Sequence, residues 1–387
     1  MHPFDLYLPT RIIFGKGRIT ELPSAMHPYG KKVLLAYGGG SIKRSGLYDT
    51  VKTLLKDFEV FELGGIAPNP RISSVREGVK LCKDNGIDMI LAVGGGSTID
   101  CAKNIACGAK YDGDPWDLVI KPELVGEHIP LFDVLTLAAT GSEYDAAAVI
   151  TNEETNEKLT CWSNTFPVAS ICDPSYTCSV PASQTAAGAA DILSHTFEQY
   201  LVKDGNMISD GFCETILRAV FANTPRAIEN PNDEEARAQL MLASSFGCCG
   251  LLAIGRTPSP WVCHAIEHEV SAWHDITHGT GLAIITPHWM RYSLNADTAP
   301  RFAQYGINVW GLDAKADAMH NAEAAIARTE EFFRAIGIPP RLRDVGVDDT
   351  HFEEIADHIR SHWFGNLENA IRPVDRAGII EILRSSL

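Results

Sequence analysis

The first half of the chain alternates short apolar runs with segments of helical length. From Lys32, the run KVLLAY leads into a glycine turn, a helical pattern and a second apolar run, FEVFELGG. The order repeats in GIDMILAVGGGSTIDCAKNIACGAK, where Ile87–Val93 is the predicted strand and Ser97–Cys107 the predicted helix. A further apolar strand, in IPLFDVLTLAATGSE, ends in a polar turn. Continuous apolar strands that alternate with helices predict a parallel sheet covered on both faces.

Helical patterns replace strands after about Pro181. The segments ASQTAAGAADILSHTFEQYLV, SDGFCETILRAVFANTPRAIEN and DEEARAQLMLASSFGCCGLLAIG have helical length, and prolines stand near the breaks between segments. With 387 residues, 45% of them hydrophobic, the chain can bury a core in each of two domains. We predict an α/β domain over residues 1–180 and an all-helical domain over residues 181–387.

Charge and composition narrow the class of partner. The formal net charge of −16 disfavours nucleic acid or an anionic membrane surface, and no apolar run reaches the roughly 18 residues of a membrane span, so small molecules are the expected partners. The opening MHPFDLYLPTRIIFGKG lacks the pattern of a secretory signal. Ten scattered cysteines without a CxxC pair are typical of a reducing compartment, so we expect a cytoplasmic protein.

Two GGGS turns, Gly38–Ser41 and Gly94–Ser97, each separate a predicted strand from a predicted helix. Glycines there let backbone N–H groups approach an anion, and the helix N-terminus adds partial positive charge. Neither turn completes GxGxxG or a P-loop, and turns that merely connect strand to helix are the alternative. Their place at the carboxyl ends of two parallel strands favours phosphate binding and makes residues 1–180 a candidate dinucleotide-binding domain.

The first turn carries a signal about the cofactor. In dinucleotide folds, an acid at a strand end often holds the ribose 2′-hydroxyl and would repel a 2′-phosphate. Here Gly38 follows Tyr37 without an acid, and Ser41, Lys43 and Arg44 come next. If this turn contacts the adenosine ribose, its residues favour NADP(H) over NAD, which remains the other possibility. The alternative is that Lys43 and Arg44 are solvated surface charges with no role in cofactor binding.

Histidines are concentrated in HAIEHEVSAWHDITHG. On a helix, residues four apart share a face, so His264 and His268 could chelate an ion, as could Asp191 and His195 in AADILSHTF. One carboxylate and several imidazoles suit Zn²⁺ or Fe²⁺. The alternative is that these are ordinary core or surface histidines whose hydrogen bonds are made within the protein. Four histidines within fifteen residues make this alternative less favoured. We expect one divalent ion in the helical domain.

The same stretch also fits the zinc-peptidase pattern H-x-x-E-H. In that interpretation Glu267 is a general base between His264 and His268, and a third ligand lies on another helix. A peptidase gives no role to either GGGS turn. It therefore remains the remote alternative.

Together these motifs resemble the iron-containing alcohol dehydrogenase family over essentially the full chain, most of all its butanol dehydrogenase and NADPH-dependent aldehyde reductase branch. The matching stretches are YGGGSIKRSGLYD, AVGGGSTIDCAKNIA, TLAATGSE, DILSHTFEQY and HAIEHEVSAWHDITHGTGLAI. The resemblance implies a dehydroquinate synthase-like architecture, an α/β dinucleotide-binding domain followed by a helical metal-binding domain. By position, the four metal ligands fall on Asp191, His195, His264 and His278, none of them substituted. His268 matches a further histidine that lines the site, and His274 matches no ligand.

The resemblance also implies where the cofactor binds. The pyrophosphate loop falls on Gly94, Gly95, Gly96 and Ser97, and the adenosine 2′-phosphate on the first turn, with Gly38, Gly39 and Ser41. Further positions near the cofactor are Asp100, Thr136, Thr140, Ser142 and Lys158.

The expected function is hydride transfer between a nicotinamide and a primary alcohol or aldehyde whose oxygen a divalent ion polarises. His268 is the candidate proton relay, with a supporting role near the metal as the alternative. A dehydroquinate synthase-like lyase, a glycerol dehydrogenase-like enzyme and a non-catalytic binding protein remain alternatives; the apolar surroundings of Trp261 argue against the highly charged substrate that the lyase requires. Relatives are commonly dimers, and the N-terminal YLPTRIIFG could supply a pairing edge, so a homodimer is expected.

Overall fold

The computed structural model describes residues 1–363 and 365–387, and the first half of the chain forms strands in the predicted order. The strands of the described residues are β1 (Arg11–Phe14), β2 (Lys32–Gly38), β3 (Glu59–Ile66), β4 (Met89–Gly94), β5 (Leu131–Leu135), β6 (Ala147–Asn152), β7 (Glu157–Trp162) and β8 (Ala169–Cys172). Six of them form one sheet in the order β1-β8-β5-β4-β2-β3, with parallel neighbours throughout. The other two, β6 and β7, pair as an antiparallel hairpin.

The sheet order brings both glycine turns to one place. From β2 the chain continues to β3 on one side, and from β4 it continues to β5 on the other, so the order reverses between the adjacent strands β2 and β4. Gly38 ends β2 and Gly94 ends β4. Ligands of open parallel sheets bind beyond the carboxyl ends of the strands at such a reversal.

Helices cover both faces of this sheet. They are α1 (Leu22–Met26), α2 (Ser41–Arg44), α3 (Leu47–Leu54), α4 (Ile72–Asn85), α5 (Gly96–Gly108) and α6 (Pro115–Ile120). Alternate residues of β2 enter different cores: Leu34 and Ala36 pack with α4 and α5, while Val33 and Leu35 pack with α1 and α3. Burial on both faces explains why the strand sequences are continuously apolar.

The second half of the chain is helical, as predicted. Its helices are α7 (Ala182–Tyr200), α8 (Met207–Glu229), α9 (Glu234–Gly247), α10 (Val262–His274), α11 (His278–Ser293), α12 (Ala299–Trp310), α13 (Ala318–Ala335), α14 (Phe352–His362) and α15 (Arg376–Ser386). Helix α7 packs against α8, α10 and α11, and α10 packs against α11 and α14. Together with the parallel sheet, these helices confirm the predicted fold class. Among the described residues, none of the helices combines the length and the apolar character that crossing a membrane requires.

The chain forms two compact units, and it passes between them more than once. The sheet unit comprises residues 7–180 and 231–245, and the helical unit comprises residues 1–6, 181–230 and 246–387. The segment 231–245, which includes most of α9, joins the sheet unit through side-chain hydrogen bonds. Ser244 Oγ accepts from the backbone N–H of Ala139 at 3.0 Å, and Ser245 Oγ donates to Glu143 Oε1 at 2.6 Å.

Candidate metal and cofactor sites

Three histidine side chains of the helical unit converge on one carboxylate oxygen, that of Asp191. Helix α7 presents Asp191 and His195 one turn apart, α10 contributes His264, and α11 begins at His278. The Oδ1 atom of Asp191 lies 3.6 Å from His195 Nδ1, 3.9 Å from His264 Nε2 and 3.6 Å from His278 Nε2. The structure thus brings together the four residues that the sequence marks as candidate ligands.

Two buried atoms of this cluster lack a hydrogen-bond partner in the part of the chain that the structure describes. Asp191 Oδ1 and His264 Nε2 are buried, and neither has a hydrogen-bond partner among the described residues. Such a group typically costs about 1–3 kcal/mol when left unpaired. Metal–nitrogen bonds of about 2.1 Å put neighbouring ligands of a tetrahedron ~3.4 Å apart, close to the separations observed here. One oxygen and three nitrogens therefore fit a divalent ion such as Fe²⁺ or Zn²⁺.

The electrostatics of the cluster favour a neutral imidazole at His195. Burial lowers the pKa of His195 to about 3, against the opposing effect of the Asp191 carboxylate; the neighbouring imidazoles of His264 and His278 lower it further. A neutral ring keeps the lone pair that a metal requires. His264 differs, because against the opposing effect of burial the carboxylates of Glu198, Asp191 and Glu267 raise its pKa.

Two glutamates contact the Nδ1 atoms of two candidate ligands, His264 and His278. His264 Nδ1 contacts Glu198 Oε2, and the same carboxylate accepts the backbone N–H of Cys263 at 2.6 Å. His278 Nδ1 contacts Glu267 Oε2, while Ser271 Oγ donates to Glu267 Oε1. A carboxylate on Nδ1 turns the Nε2 lone pair towards the ion and increases its basicity.

Sequence reasoning assigned no such role to these glutamates, although a signal was present. Glu198 and Glu267 each follow a candidate ligand, His195 and His264, by three residues, which places them on the same side of their helices. Both oxygens of Glu267 have protein partners. This removes the peptidase interpretation, in which Glu267 activates water.

Glycines let the backbones of the helices that carry the candidate ligands approach closely. A Cβ atom on Gly279 would lie 1.9 Å from the carbonyl oxygen of Ala187 in α7. A Cβ atom on Gly281 would lie 2.8 Å from Cγ of Glu267 in α10. The first turn of α11 can therefore bring His278 to Asp191 only because these positions lack side chains.

The wall around the cluster is aromatic. The buried ring of His268 lies 5.3 Å from that of His278 and 5.5 Å from that of Trp363, measured between centroids. Trp261, in the left-handed conformation at φ 56°, precedes α10 and packs edgewise against His195 and His264. His268 is thus beside the candidate ligands without belonging to the group around Asp191 Oδ1.

His274 lies away from this cluster. It is the last residue of α10, and its ring is 6.4 Å from that of His351. It takes no part in the set of four candidate ligands.

The second glycine turn forms the start of a helix in the sheet unit. Gly94 ends β4, Gly95 precedes α5, and Gly96 and Ser97 are in its first turn. A Cβ on Gly94 would lie 2.4 Å from Thr98 Oγ1, and one on Gly96 would lie 2.3 Å from Thr140 Oγ1. Only glycine fits this close turn, whose N–H groups and helix end suit a pyrophosphate.

Other predicted cofactor residues lie around this turn. Thr136 donates its backbone N–H to the Gly94 carbonyl at 3.0 Å, and Thr140 Oγ1 accepts the N–H of Ser142 at 3.1 Å. Ser142 Oγ donates to Asp100 Oδ1 at 2.6 Å. Burial raises the pKa of Asp100 to about 6, against the lowering effect of Lys103 and these hydrogen bonds. The network fixes the loop that faces the turn.

Lys158 is placed on the hairpin. It lies in β7, opposite Thr151 of β6, and is buried. Its position in the sheet unit therefore follows from the pairing of β6 with β7 and not from its neighbours in sequence.

The first glycine turn has a cation and an acid beside it. Gly38 ends β2, Gly39 and Gly40 follow, and Ser41 begins α2. Lys43 Nζ lies 4.9 Å from the ring centroids of both Tyr37 and Tyr48.

The acid, Glu62, is on the adjacent strand β3, not on the strand that ends at Tyr37 and Gly38, so the sequence around Tyr37 does not reveal it. Its carboxylate accepts the hydroxyls of Tyr37 at 3.0 Å and Tyr48 at 2.9 Å, and it pairs with Lys52 at 2.9 Å. These partners hold the pKa of Glu62 below its usual value despite the opposing effect of burial. Its charge is therefore balanced locally.

Comparisons with known proteins agree over the whole chain. The family described as iron-containing alcohol dehydrogenase matches residues 9–174, and the C-terminal part of the Fe-containing alcohol dehydrogenase family matches residues 185–387. NADH-dependent butanol dehydrogenase A of Clostridium acetobutylicum is 47% identical, with 100% of each chain covered. The NADPH-dependent aldehyde reductase YqhD of Escherichia coli is 37% identical, with 95% of each chain covered. The crystal structure of NADH-dependent butanol dehydrogenase A from Thermotoga maritima is similar at a TM-score of 0.93 and 37% identity, covering 100% of this chain and 99% of that one.

Proposed function

The chain belongs to the iron-containing alcohol dehydrogenase family, and from this premise we propose that it reduces small aldehydes to primary alcohols, or the reverse, with NADP(H) and one divalent ion. The observation that carries the proposal is the convergence of Asp191, His195, His264 and His278, in which two buried atoms lack a hydrogen-bond partner among the described residues. In this proposal the four residues have the role of ligands to the ion, and the nicotinamide supplies the redox chemistry.

In the proposed site, Asp191, His195, His264 and His278 hold Fe²⁺ or Zn²⁺. When bound, the ion polarises the substrate oxygen, and the nicotinamide gives or accepts the hydride. Reduction consumes one aldehyde, one reduced nicotinamide and one proton, and yields the alcohol and the oxidised nicotinamide. The rings of Trp261 and Trp363 pack against His195, His264 and His268 and would limit the access of water to a substrate bound there.

We assign the proton transfer to His268. Its ring is buried beside His264 and His278, at centroid distances of 6.0 and 5.3 Å, which is near enough to face a substrate oxygen at the ion. Imidazole passes a proton readily near neutral pH.

For the cofactor, we propose two anion sites in the sheet unit, which makes residues 1–180 the dinucleotide-binding part and 181–387 the metal-binding part. The pyrophosphate would be held by Gly94, Gly95, Gly96 and Ser97, and the 2′-phosphate by Gly38, Gly39 and Ser41. Asp100, Thr136, Thr140, Ser142 and Lys158 would line the remaining path of the cofactor.

The preference for NADP(H) rests on the first turn. Lys43 and Arg44 supply two cations close to Ser41, and the nearby acid Glu62 is already paired with Lys52. The names of relatives point both ways, since the butanol dehydrogenase of Clostridium acetobutylicum is NADH-dependent and YqhD is NADPH-dependent. The ratio of kcat/KM with NADPH to that with NADH decides between them, and a clear NADH preference overturns this part.

We also propose a homodimer in a reducing compartment, the cytoplasm. Strand β1 is an edge of the six-stranded sheet, paired only with β8 among the described residues, and such an edge can pair with another chain. No disulfide joins the ten cysteines within the described part of the chain.

The central experiment loads metal-stripped protein with Fe²⁺ or Zn²⁺ and measures turnover of butanal and butanol with each nicotinamide. His278→Ala should lose the catalytic ion and nearly all turnover, because it removes one of four ligands. His320→Ala, an exposed histidine of α13, is the matched control and should behave as wild type. Full activity of His278→Ala without metal overturns the ligand assignment.

A further inference from the structure

The connection between β5 and β6 contains a buried acid that the proposed reaction does not use. Glu143 directly follows Ser142, one of the proposed cofactor residues, and its side chain is 0% exposed. A carboxyl in a connecting segment normally faces solvent, and a fully buried one is rare unless it is paired. The burial of Glu143 therefore points to a role within the sheet unit.

Helix α9 is attached to this connection at two points. Ser245 Oγ donates to Glu143 Oε1 at 2.6 Å, and Ser244 Oγ accepts the backbone N–H of Ala139 at 3.0 Å. The two attachments enclose residues 140–142, which include two of the proposed cofactor residues. The end of α9 thus fixes both sides of a short segment that is proposed to line the cofactor.

A second buried carboxyl beside Glu143 carries a proton. Ser170 Oγ in β8 lies 2.7 Å from the carbonyl oxygen of Glu143 and 2.5 Å from Asp133 Oδ2. The hydroxyl has one proton and the carbonyl can only accept, so the contact with Asp133 requires a proton on that carboxyl. Burial likewise raises the pKa of Asp133 well above its ordinary value. The surroundings of Glu143 on this side are therefore neutral.

The cation that acts on Glu143 is already paired. Lys103 Nζ in α5 donates to Asp145 Oδ1 at 2.6 Å and to the Ala147 carbonyl at 2.8 Å. Glu143 Oε2 has no hydrogen-bond partner in the part of the chain that the structure describes. An ionised Glu143 would therefore be a buried charge without a counter-ion of its own, which is costly unless water reaches it.

The other elements around Glu143 supply no compensating charge among the described residues. Helix α9 presents the hydroxyl of Ser245, and burial raises the pKa of the Cys172 thiol in β8 well above its ordinary value. Burial raises the pKa of Glu143 itself to about 7, against the lowering effect of its hydrogen bond to Ser245. Its carboxyl is thus neutral in mildly acidic solution and ionises close to neutral pH.

We propose that Glu143 is a positioning residue for the nicotinamide cofactor, an inference that rests on the proposed function. The neutral carboxyl, bound to α9 through Ser245, keeps Thr140 and Ser142 beside the second glycine turn, where a Cβ on Gly96 would lie 2.3 Å from Thr140 Oγ1. When the carboxyl ionises, the segment moves to hydrate the charge, and the cofactor loses these contacts. Cofactor affinity therefore falls as the pH rises past neutrality.

Fluorescence titration of metal-loaded protein with NADH at several pH values tests this role without turnover. NADH lacks the 2′-phosphate, which itself titrates near pH 6. The wild-type Kd should rise at least about threefold between about pH 6.5 and about pH 8.5, because binding favours the protonated carboxyl. Glu143→Gln keeps the shape and cannot ionise, so its Kd should rise less. Asp100, whose pKa burial raises to about 6, is present in both proteins and cancels in the comparison.

Two further variants separate positioning from general damage. Ser245→Ala removes only the hydroxyl that binds Glu143, and it should raise the Kd for NADH by about threefold or more at pH 6.5 while metal content stays at the wild-type level. Glu59→Gln, at an exposed position in β3, should match wild type at every pH. Circular dichroism confirms that each variant is folded.

The outcomes distinguish this role from the proposed function. Equal Kd values for wild type and Glu143→Gln at every pH overturn the positioning role of Glu143, whatever the enzyme activity is. A Ser245→Ala variant that binds NADH as tightly as wild type shows that attachment to α9 does not position the segment. Wild type that binds neither NADH nor NADPH overturns the proposed function, and this inference with it.

Discussion

Gly279 of α11 lies so close to Ala187 of α7 that a Cβ on the glycine would come 1.9 Å from the alanine carbonyl oxygen. This backbone contact is what allows His278, the preceding residue, to come within 3.6 Å of Asp191 Oδ1. The carbonyl belongs to the backbone of a packed helix, so it cannot move aside as a flexible side chain would. The arrangement of the candidate metal ligands thus depends on a residue that carries no functional group.

Gly279→Ala should therefore weaken metal binding and the fold together. Overpacking at a buried contact costs about 1–3 kcal/mol of unfolding free energy, and displacement of His278 should lower metal affinity by at least about tenfold. Urea unfolding and dialysis against a competing chelator measure the two effects. Gly211→Ala in α8 is the control, because a Cβ there meets no atom within 4 Å. Equal metal affinity in Gly279→Ala and Gly211→Ala would show that the close approach is unimportant.

Glu267→Gln should lower metal affinity about 10–100-fold while leaving all four candidate ligands in place. The amide retains a contact to His278 Nδ1 but lacks the negative charge that increases the basicity of the ring. Glu198→Gln should act in the same way through His264. The exposed Glu323→Gln serves as the control. An unchanged dissociation constant in both variants contradicts the orienting role.

His268→Ala should keep the catalytic ion and lose about 10²–10⁴-fold in kcat, because proton transfer to the substrate oxygen loses its positioned group. Metal analysis and steady-state kinetics measure the two quantities. Added imidazole should restore part of kcat if the ring carries the proton. A variant that loses metal, or one that imidazole does not rescue, instead favours a supporting role for His268.

Lys43→Ala should reduce kcat/KM for NADPH by about tenfold or more and leave the value for NADH nearly unchanged. The reason is that Lys43 Nζ, held over the rings of Tyr37 and Tyr48, is the cation expected to meet the 2′-phosphate. Lys56→Ala, an exposed lysine beyond α3, controls for general charge loss. Equal losses with both cofactors would remove Lys43 from the discrimination.

The parts of the fold that the sequence predicts are those set by local periodicity. Continuous apolar strands such as β4 and the four-residue spacing of Asp191 and His195 follow from burial and helix geometry. Pairing between distant segments does not follow in this way. That His278 meets Asp191 required the family resemblance, and that Glu267 faces His278 required the packing of α10 on α11. The same limit explains Glu62, which reaches the first glycine turn from a neighbouring strand.

Helix α9 illustrates the limit at the level of domains. Its helical pattern is clear in sequence, yet Ser244 and Ser245 bond to the sheet unit at Ala139 and Glu143. The hydrogen bonds that decide its place come from small polar side chains with no distinctive spacing. Periodicity alone therefore predicts a single domain boundary near residue 180 and does not predict that residues 231–245 belong to the sheet unit.

The buried carboxyl of Glu143 should make the stability of the protein depend on pH. Burial raises its pKa from the ordinary 4.5 to about 7, although Ser245 Oγ donates to Oε1; Oε2 has no hydrogen-bond partner among the described residues. Between these two values the folded protein keeps a proton that the unfolded chain has lost. Unfolding free energy should therefore fall as the pH rises through this window, by up to about 1.4 kcal/mol per pH unit, and level off above pH 7.

Glu143→Gln removes this dependence, because an amide of the same shape cannot ionise and still accepts from Ser245. The variant should gain stability relative to wild type as pH rises from 5 to 8, and the gain should appear within the window set by the two pKa values of Glu143. Urea unfolding of metal-loaded protein at several pH values measures the difference. Glu59→Gln, at an exposed position in β3, should show no such trend. A difference between Glu143→Gln and wild type that is the same at pH 5 and pH 8 would mean that the buried carboxyl is ionised throughout.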